Sequence, residues 1–302
     1  MSLLIVGTVA FDGIETPFGK VDKILGGSAT YIGIASSYFN KNANLISVVG
    51  GDFLDTDINL LKAHGINCDG LEILSNEKTF FWSGKYHKNM NFRDTIETQL
   101  NVLENFNPKV PDNYQNCRYL MLANLMPSIQ LNTISQLTKK PELIVTDTMN
   151  YWMDNCLVDL LKVIAQTDVL IINDEEACQL SKKNNLKEAA EKIQMMGPSS
   201  LIIKQGEDGA ILFRENKVFT CPSFMVGQCV DPTGAGDTFA GAFIGHLYST
   251  QDLSFNNMKL GVIKACAMAS FCVESFGVNN IINKNLLEIN TRINKLKQRV
   301  SI

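Results

Sequence analysis

The chain has 302 residues, with 27 Lys and Arg against 31 Asp and Glu, a formal net charge of −4 and 45% hydrophobic residues. That leaves room for one large α/β domain or two ordinary ones with a sizeable core. The slightly acidic balance offers no footprint for nucleic acid or an anionic membrane, and no apolar run approaches the length of a membrane span.

The first stretch, "MSLLIVGTVAF", has no basic leader and its apolar run is broken by Gly7, so it reads as a first β-strand rather than a signal peptide. A soluble, cytoplasmic protein is expected. "FDGIETPFGKVDKIL" (11–25) predicts a hairpin turning at Thr16-Pro17-Phe18-Gly19. A helix-length segment (28–39), a strand in "ANLISVVG" and a second helix (55–64) follow. "LEILSNEKTFFWSGKYHK" (71–88) predicts another hairpin, turning near Ser75-Asn76-Glu77, with Phe80, Trp82 and Tyr86 on one face by period two. Strands from the two insertions would form a small side sheet. Its aromatic face suits either packing on an apolar surface, such as a second copy of the chain, or a lid that excludes water from a ligand.

From there the runs "RYLMLAN", "ELIVTD", "DVLIIND" and "SLIIKQG" alternate with helical segments such as 155–165 and 186–196. The runs are continuously apolar, as strands buried on both faces are. The expectation is an α/β fold, with a central, mainly parallel sheet flanked by helices. Ligands in such folds bind beyond the carboxyl ends of the strands, so polar residues just after these runs are the first candidates. Helices over 237–248, 255–275 and 286–296 complete the chain, ending in the locally basic "NKLKQRVSI", which reads as a solvated face favoured by the helix dipole. Eight cysteines at 68, 117, 156, 178, 221, 229, 266 and 272 form no C-x-x-C pair and lie mostly in apolar runs. Buried reduced thiols are expected, rather than disulfides or zinc.

The chemistry concentrates in "VDPTGAGDTFAGAF" (230–243). A P-loop is excluded because the stretch has no Lys, and a G-x-G-x-x-G dinucleotide loop because the third position is Phe239. A physical reading survives. Gly234 and Gly236 permit unusual backbone angles just before a helix, whose first N–H groups lack intrahelical partners and form an anion site. Asp237 sits in that mouth. A lone Asp there would ordinarily be a cap, but a cap needs no glycines. A carboxylate beside an anion hole can take a proton from a hydroxyl that attacks a bound phosphoryl group. The same helix end stabilises the ionised carboxylate, and so is expected to weaken it as a base.

"DPTGAGDTFAGAF" closely resembles the C-terminal signature of the ribokinase-like, or PfkB, family of carbohydrate and nucleoside kinases. "GGSATYIGIASSYF" (26–39), "NDEE" (173–176) and "KQGEDGAILF" (204–213) resemble its other segments in the same order. The resemblance implies one kinase domain over residues 1–302, with a β-sheet lid inserted at about 11–25 and 71–88. By the same resemblance Asp237 is the catalytic base, and Gly234, Ala235 and Gly236 form the anion hole. Asp12, Gly26, Gly27 and Asn124 contact the substrate. Asn173, Lys204, Gly206 and Gly209 lie along the nucleotide, and Glu176 holds Mg²⁺ through water. Asp231 and Thr233 occupy the places of a monovalent cation site, K⁺ in relatives. The implied cofactors are ATP and Mg²⁺; the implied partners are a small sugar or nucleoside and, through the lid sheets, a second copy of the chain.

The chain departs from the pattern where many sugar kinases carry a Lys and an Asn after Gly-Gly; here stand Ser28-Ala29-Thr30-Tyr31. "DTMNYW" (147–152) replaces a D-x-N-x-R segment without its Arg. Both weaken a ribose assignment. Tyr31, Trp82 and Tyr86 suit either base stacking or packing, and Lys85, His87, Lys88 and Arg93 suit either a substrate phosphate or a protected strand edge. His64 and His246 read as structural. The expected activity is ATP-dependent phosphorylation of a primary hydroxyl on a sugar. The alternatives are a nucleoside kinase and a non-catalytic nucleotide- or sugar-binding regulator on the same fold.

Overall fold

The alternation read from the sequence becomes two sheets in a computed structural model, which describes residues 2–90 and 92–300. In chain order the first elements are β1 (Leu3–Val6), β2 (Ala10–Thr16), β3 (Gly19–Gly26), α1 (Ser28–Ser37), β4 (Ala43–Gly50), α2 (Asp55–Ala63) and β5 (Ile66–Leu74). Next come β6 (Phe81–Tyr86), β7 (Arg93–Gln99), β8 (Tyr119–Leu122), α3 (Pro127–Ser135), β9 (Leu143–Asp147), α4 (Asn150–Asn155), α5 (Leu157–Ile164) and β10 (Val169–Asn173). The last are α6 (Asp174–Ser181), α7 (Leu186–Gln194), β11 (Ser200–Lys204), β12 (Ala210–Arg214), β13 (Lys217–Cys221), α8 (Ala235–Thr250), α9 (Phe255–Cys272) and α10 (Leu286–Arg299).

Among the described residues the large sheet runs β13-β12-β11-β10-β9-β8-β1-β4-β5. It is parallel from β5 through β11 and closes with the antiparallel pairs β11–β12 and β12–β13. Successive side chains of each buried strand serve opposite helix layers. Leu3 and Ile5 join the core under α1, α8 and α9, whereas Leu4 and Val6 join the core under α3. Val169 and Ile171 face the first layer, and Leu170 and Ile172 face α6 and α7. A strand that must bury both faces has no polar position to spare, which is why these runs lack alternation. Removing each such side chain from water contributes about 1.5–3 kcal/mol.

Strand order reverses between β1 and β8, because the chain moves outward through β4 on one side and through β9 to β11 on the other. Crevices at such a switch point collect what projects from the carboxyl ends of the strands.

The small sheet runs β3-β2-β6-β7. The first hairpin forms as expected, with Thr16 paired to Gly19. The second insertion is placed differently. The segment 71–74 belongs to β5, which pairs in parallel with β4 at the edge of the large sheet. The antiparallel partner of β6 is β7, with β2 parallel on its other side, so the second hairpin turns after Tyr86, not at Ser75-Asn76-Glu77. The alternating "LEIL" pattern marks a strand with one covered face and is the same in either sheet, so it did not distinguish them. A bulge between Ser83 and Gly84 also breaks period two along β6.

The remaining boundaries move little. The 155–165 helix becomes α4 and α5, broken at Cys156 (φ −139°). All eight cysteines are free thiols. His64 accepts or donates to the Ser37 hydroxyl at 3.1 Å, and buried His246 bonds Asn257 at 3.0 Å; both lie in helix packing. The last two residues of the basic C-terminal run lie outside the described residues. Among the described residues no helix is long and apolar enough to cross a membrane.

Candidate active site

The carboxyl ends of the central strands bring most of the candidate residues to one place. Asn124 follows β8, Asp147 ends β9, Asn173 ends β10 and Lys204 ends β11, whereas Asp12 is delivered from within β2 of the small sheet. Asn173 and Lys204 are direct neighbours in the ladder, and Asp147 pairs with Ile171 one strand over. Helix α8 points its amino end into this row.

The glycine-rich stretch folds as its composition requires. Gly234 caps α8 with φ +74°, in the left-handed region, and Ala235, Gly236 and Asp237 form the first helical turn. No side chain caps that helix start, and the Ala235 N–H turns back to the Pro232 carbonyl at 3.2 Å, so the N–H groups of Gly234 and Gly236 are the ones turned toward a ligand. Oδ1 of Asp237 is sealed from solvent and has no hydrogen-bond partner among the described residues. Burial, with the Asp147 charge beside it, pushes the Asp237 carboxyl up to about 7, although Lys204 and Arg93 oppose the shift. The weakening expected from the helix end is therefore overcome: desolvation leaves a carboxylate able to take a proton near neutral pH.

Asp12 lies on β2 next to Gly26 of β3. A methyl group on Gly26 would sit 1.9 Å from Asp12 Oδ2, so the side chain occupies the space that any larger residue would fill. Burial and the charges of Asp231 and Asp237 push Asp12 up to about 7, partly offset by the Gly27 N–H. An apolar-walled carboxyl beside two others is costly when ionised, and repays that cost only by binding a donor such as a sugar hydroxyl.

The N-x-x-E pair is a capping box. Asn173 Oδ1 accepts from the Glu176 N–H at 2.7 Å, and Glu176 Oε2 accepts from the Asn173 N–H at 2.8 Å. Glu176 is buried, not solvated as a lone helix carboxylate would be, and burial pushes it up to about 7 against the pull of Lys204. Lys204 pairs with Asp147 at 3.3 Å. Gly206 and Gly209 shape the turn after β11, where the Gln205 N–H donates to the Gly209 carbonyl at 2.8 Å.

Asp231 is fully buried and joins two loops: its Oδ1 accepts from the Thr233 N–H at 2.8 Å and its Oδ2 from the Gly277 N–H at 3.0 Å. The Thr233 hydroxyl meets the Tyr86 hydroxyl at 3.0 Å, so the small sheet reaches across to the loop that starts α8. Tyr86 thus packs and hydrogen-bonds. Trp82 lies under Arg93, 5.6 Å from ring to guanidinium, and its Nε1 donates to Thr95. Of the basic group on this sheet, Lys85 pairs with Glu15 and His87 with Asp94. Asn124 keeps its side chain within the protein, accepting from Trp152 Nε1 at 2.8 Å and donating to Met149 Sδ at 3.2 Å.

Asp147 escaped assignment from the sequence, and Tyr31 was left between base stacking and packing. Asp147 carried a positional signal, as the polar residue closing "ELIVTD". Tyr31 is buried with its hydroxyl unpartnered, and its ring lies against Gly234. Nothing local marks a helical Tyr as reaching a loop two hundred residues away.

The raised carboxyls set a stability trend. Asp12 keeps its proton in the folded chain up to about pH 7, but loses it near 4 when unfolded. Its contribution is complete below about pH 4 and is lost as the pH rises through 7. The Tm of the free protein is expected to fall over that interval, and Asp12→Asn to flatten the slope in calorimetry. An unchanged slope would refute the assignment.

A helix amino end, an unpartnered carboxylate beside it and a small sheet reaching over both define a phosphotransferase of the ribokinase-like α/β class. The chain belongs to the pfkB family of carbohydrate kinases, whose profile matches residues 8–285. It is 23% identical over 249 residues to the cytidine kinase of Thermococcus kodakarensis, covering 81% of this chain and 87% of that one. In fold it is similar to Burkholderia thailandensis nucleoside kinase solved with inosine, with TM-score 0.77, 17% identity and coverage of 97% and 98% of the two chains. It is similar also to a candidate ribokinase II from E. coli solved with ATP and Mg²⁺, with TM-score 0.80, 21% identity and coverage of 97% and 99%.

Proposed function

We propose that this kinase transfers the γ-phosphoryl group of ATP to a primary hydroxyl on the ribose of a nucleoside. The observation that carries the reading is the sealed, unpartnered Asp237 Oδ1 at the open start of α8. A hydroxyl placed there can give its proton to Asp237, while the N–H groups of Gly234 and Gly236 hold the charge on the phosphoryl group, joined by that of Ala235 once it gives up its 3.2 Å bond to the Pro232 carbonyl. Asp12 would accept from the other ribose hydroxyls and fix the ring, with Gly26 and Gly27 bringing backbone close. The small sheet, latched through Tyr86 and Thr233, would serve as the lid that keeps water out.

Asn173 and Glu176 suit a hydrated Mg²⁺, since both are hard oxygen donors and the capping box uses only Oε2 of Glu176. Mg²⁺ bound with the nucleotide would neutralise phosphate charge. Lys204 and the Gly206–Gly209 turn would lie along the nucleotide.

The nucleoside assignment is supported by the relatives named as cytidine and nucleoside kinases, and by the run Ser28-Ala29-Thr30-Tyr31, which lacks the Lys and Asn that many sugar kinases carry after Gly-Gly. A free sugar is the second reading, supported by the ribokinase fold relation. A panel of nucleosides and sugars, scored by ADP release with Mg-ATP, tests both. Turnover of nucleosides is expected; turnover of sugars alone would overturn the acceptor. If ligands raised Tm without any turnover, the non-catalytic reading would replace the kinase.

A further inference from the structure

The ammonium of Lys204 occupies an electrostatically awkward place. A methyl group on Gly236 would lie 2.8 Å from its Nζ, so the cation rests against the first turn of α8. That is the positive end of a helix, where cations are disfavoured. Burial by itself would also lower the Lys204 pKa, yet the surrounding Asp147, Glu176 and Asp237 carboxyls raise it and keep the residue charged. The contact made is with Asp147, at 3.3 Å, and both side chains are largely buried, 18% and 7% exposed. A buried pair of this kind is a weak stabiliser, because desolvation offsets most of the attraction. It is better explained by what arrives. A polyanion entering the mouth of α8 meets both the uncapped helix start and a fixed ammonium, and it relieves the repulsion between them.

We propose that Lys204 grips the transferring phosphoryl group itself beside Gly236, and that Asp147 is the positioning residue that holds the ammonium there before ATP binds. The proposal rests on the kinase reading and sharpens it: Lys204 serves the γ-phosphoryl rather than the rest of the nucleotide. Its geometry follows from β9 and β11, which flank β10 and deliver the two side chains from either side.

Titration calorimetry of Mg-ATP and Mg-ADP, without acceptor, tests this independently of substrate identity. Lys204→Met is expected to weaken ATP by about 10- to 100-fold, the range of a lost charge-assisted hydrogen bond, and to change ADP by less than about threefold. Asp147→Asn is expected to reduce the ATP preference in the same direction, and to lower kcat about 10-fold with the acceptor KM unchanged. Thermal unfolding of each variant is recorded alongside, and Lys204→Gln carries the same comparison should Lys204→Met not fold. Equal losses for ATP and ADP, or an unchanged ratio in folded variants, would overturn the proposal. If the wild-type protein turned over no acceptor while Lys204→Met still lost ATP selectivity, the kinase reading and the transfer role would fall together, and only the contact of Lys204 with the terminal phosphate of ATP would stand.

Discussion

Asp237→Asn is expected to lower kcat by about 10²–10⁴-fold, the usual contribution of a general base, with Tm and ATP affinity close to wild type. The substitution keeps shape and removes only the ability to take a proton. The carboxyl lies in the first turn of α8, where Asn is well tolerated, so the fold has little reason to respond. The pH profile gives a second check. Burial and Asp147 place this group at about 7, so wild-type kcat should rise as the pH climbs through neutrality and the base ionises. Asp12 is pushed into the same range and contributes to the wild-type profile. The part of the limb that vanishes in Asp237→Asn belongs to Asp237. Near-normal turnover in that variant would end the assignment.

Gly234→Ala is expected to be nearly as damaging, by a different route. The backbone there has φ +74°, which costs an L-residue roughly 1–2 kcal/mol. The added methyl would also stand 2.4 Å from two carbons of the Tyr31 ring, closer than real contacts allow. That ring is fully buried under α8 and has nowhere to retreat. The start of α8 must therefore move, and with it the N–H groups proposed to hold the phosphoryl group and the carboxylate proposed to receive the proton. A displacement near 1 Å costs about 10²-fold in such geometries. A fall of that order in kcat/KM for ATP, with a lower Tm, is the expected outcome of steady-state kinetics and calorimetry. Unchanged values would show that the helix start is not held against Tyr31 and would remove the reason for the glycine.

Legibility varied with the range of the interaction involved. The strands of the large sheet were readable because burial on both faces demands unbroken apolar runs. The start of α8 was readable because "GAGD" has a local geometric purpose. The second lid hairpin was misplaced because β5 and a lid strand present the same one-sided pattern, and only pairing with β4 decides between them. Nothing in the residues around Glu176 marks it as buried; the capping box with Asn173 and the proximity of Lys204 make it a buried carboxyl of the site. Tyr86 was ambiguous between stacking and packing until its hydroxyl met Thr233, a residue 147 positions away.

By itself the sequence determined the layer order of the fold, the glycine-bearing start of α8 and the place of Asp237 in its first turn, because each is written in contiguous residue types and short spacings. The tertiary structure decided the ionisation of Asp237 and Asp12, the pairing of Lys204 with Asp147 and the contact between Tyr31 and Gly234. Those depend on burial and on charges delivered from separate strands, and electrostatics in a desolvated site is set by distances that no one segment of the chain contains.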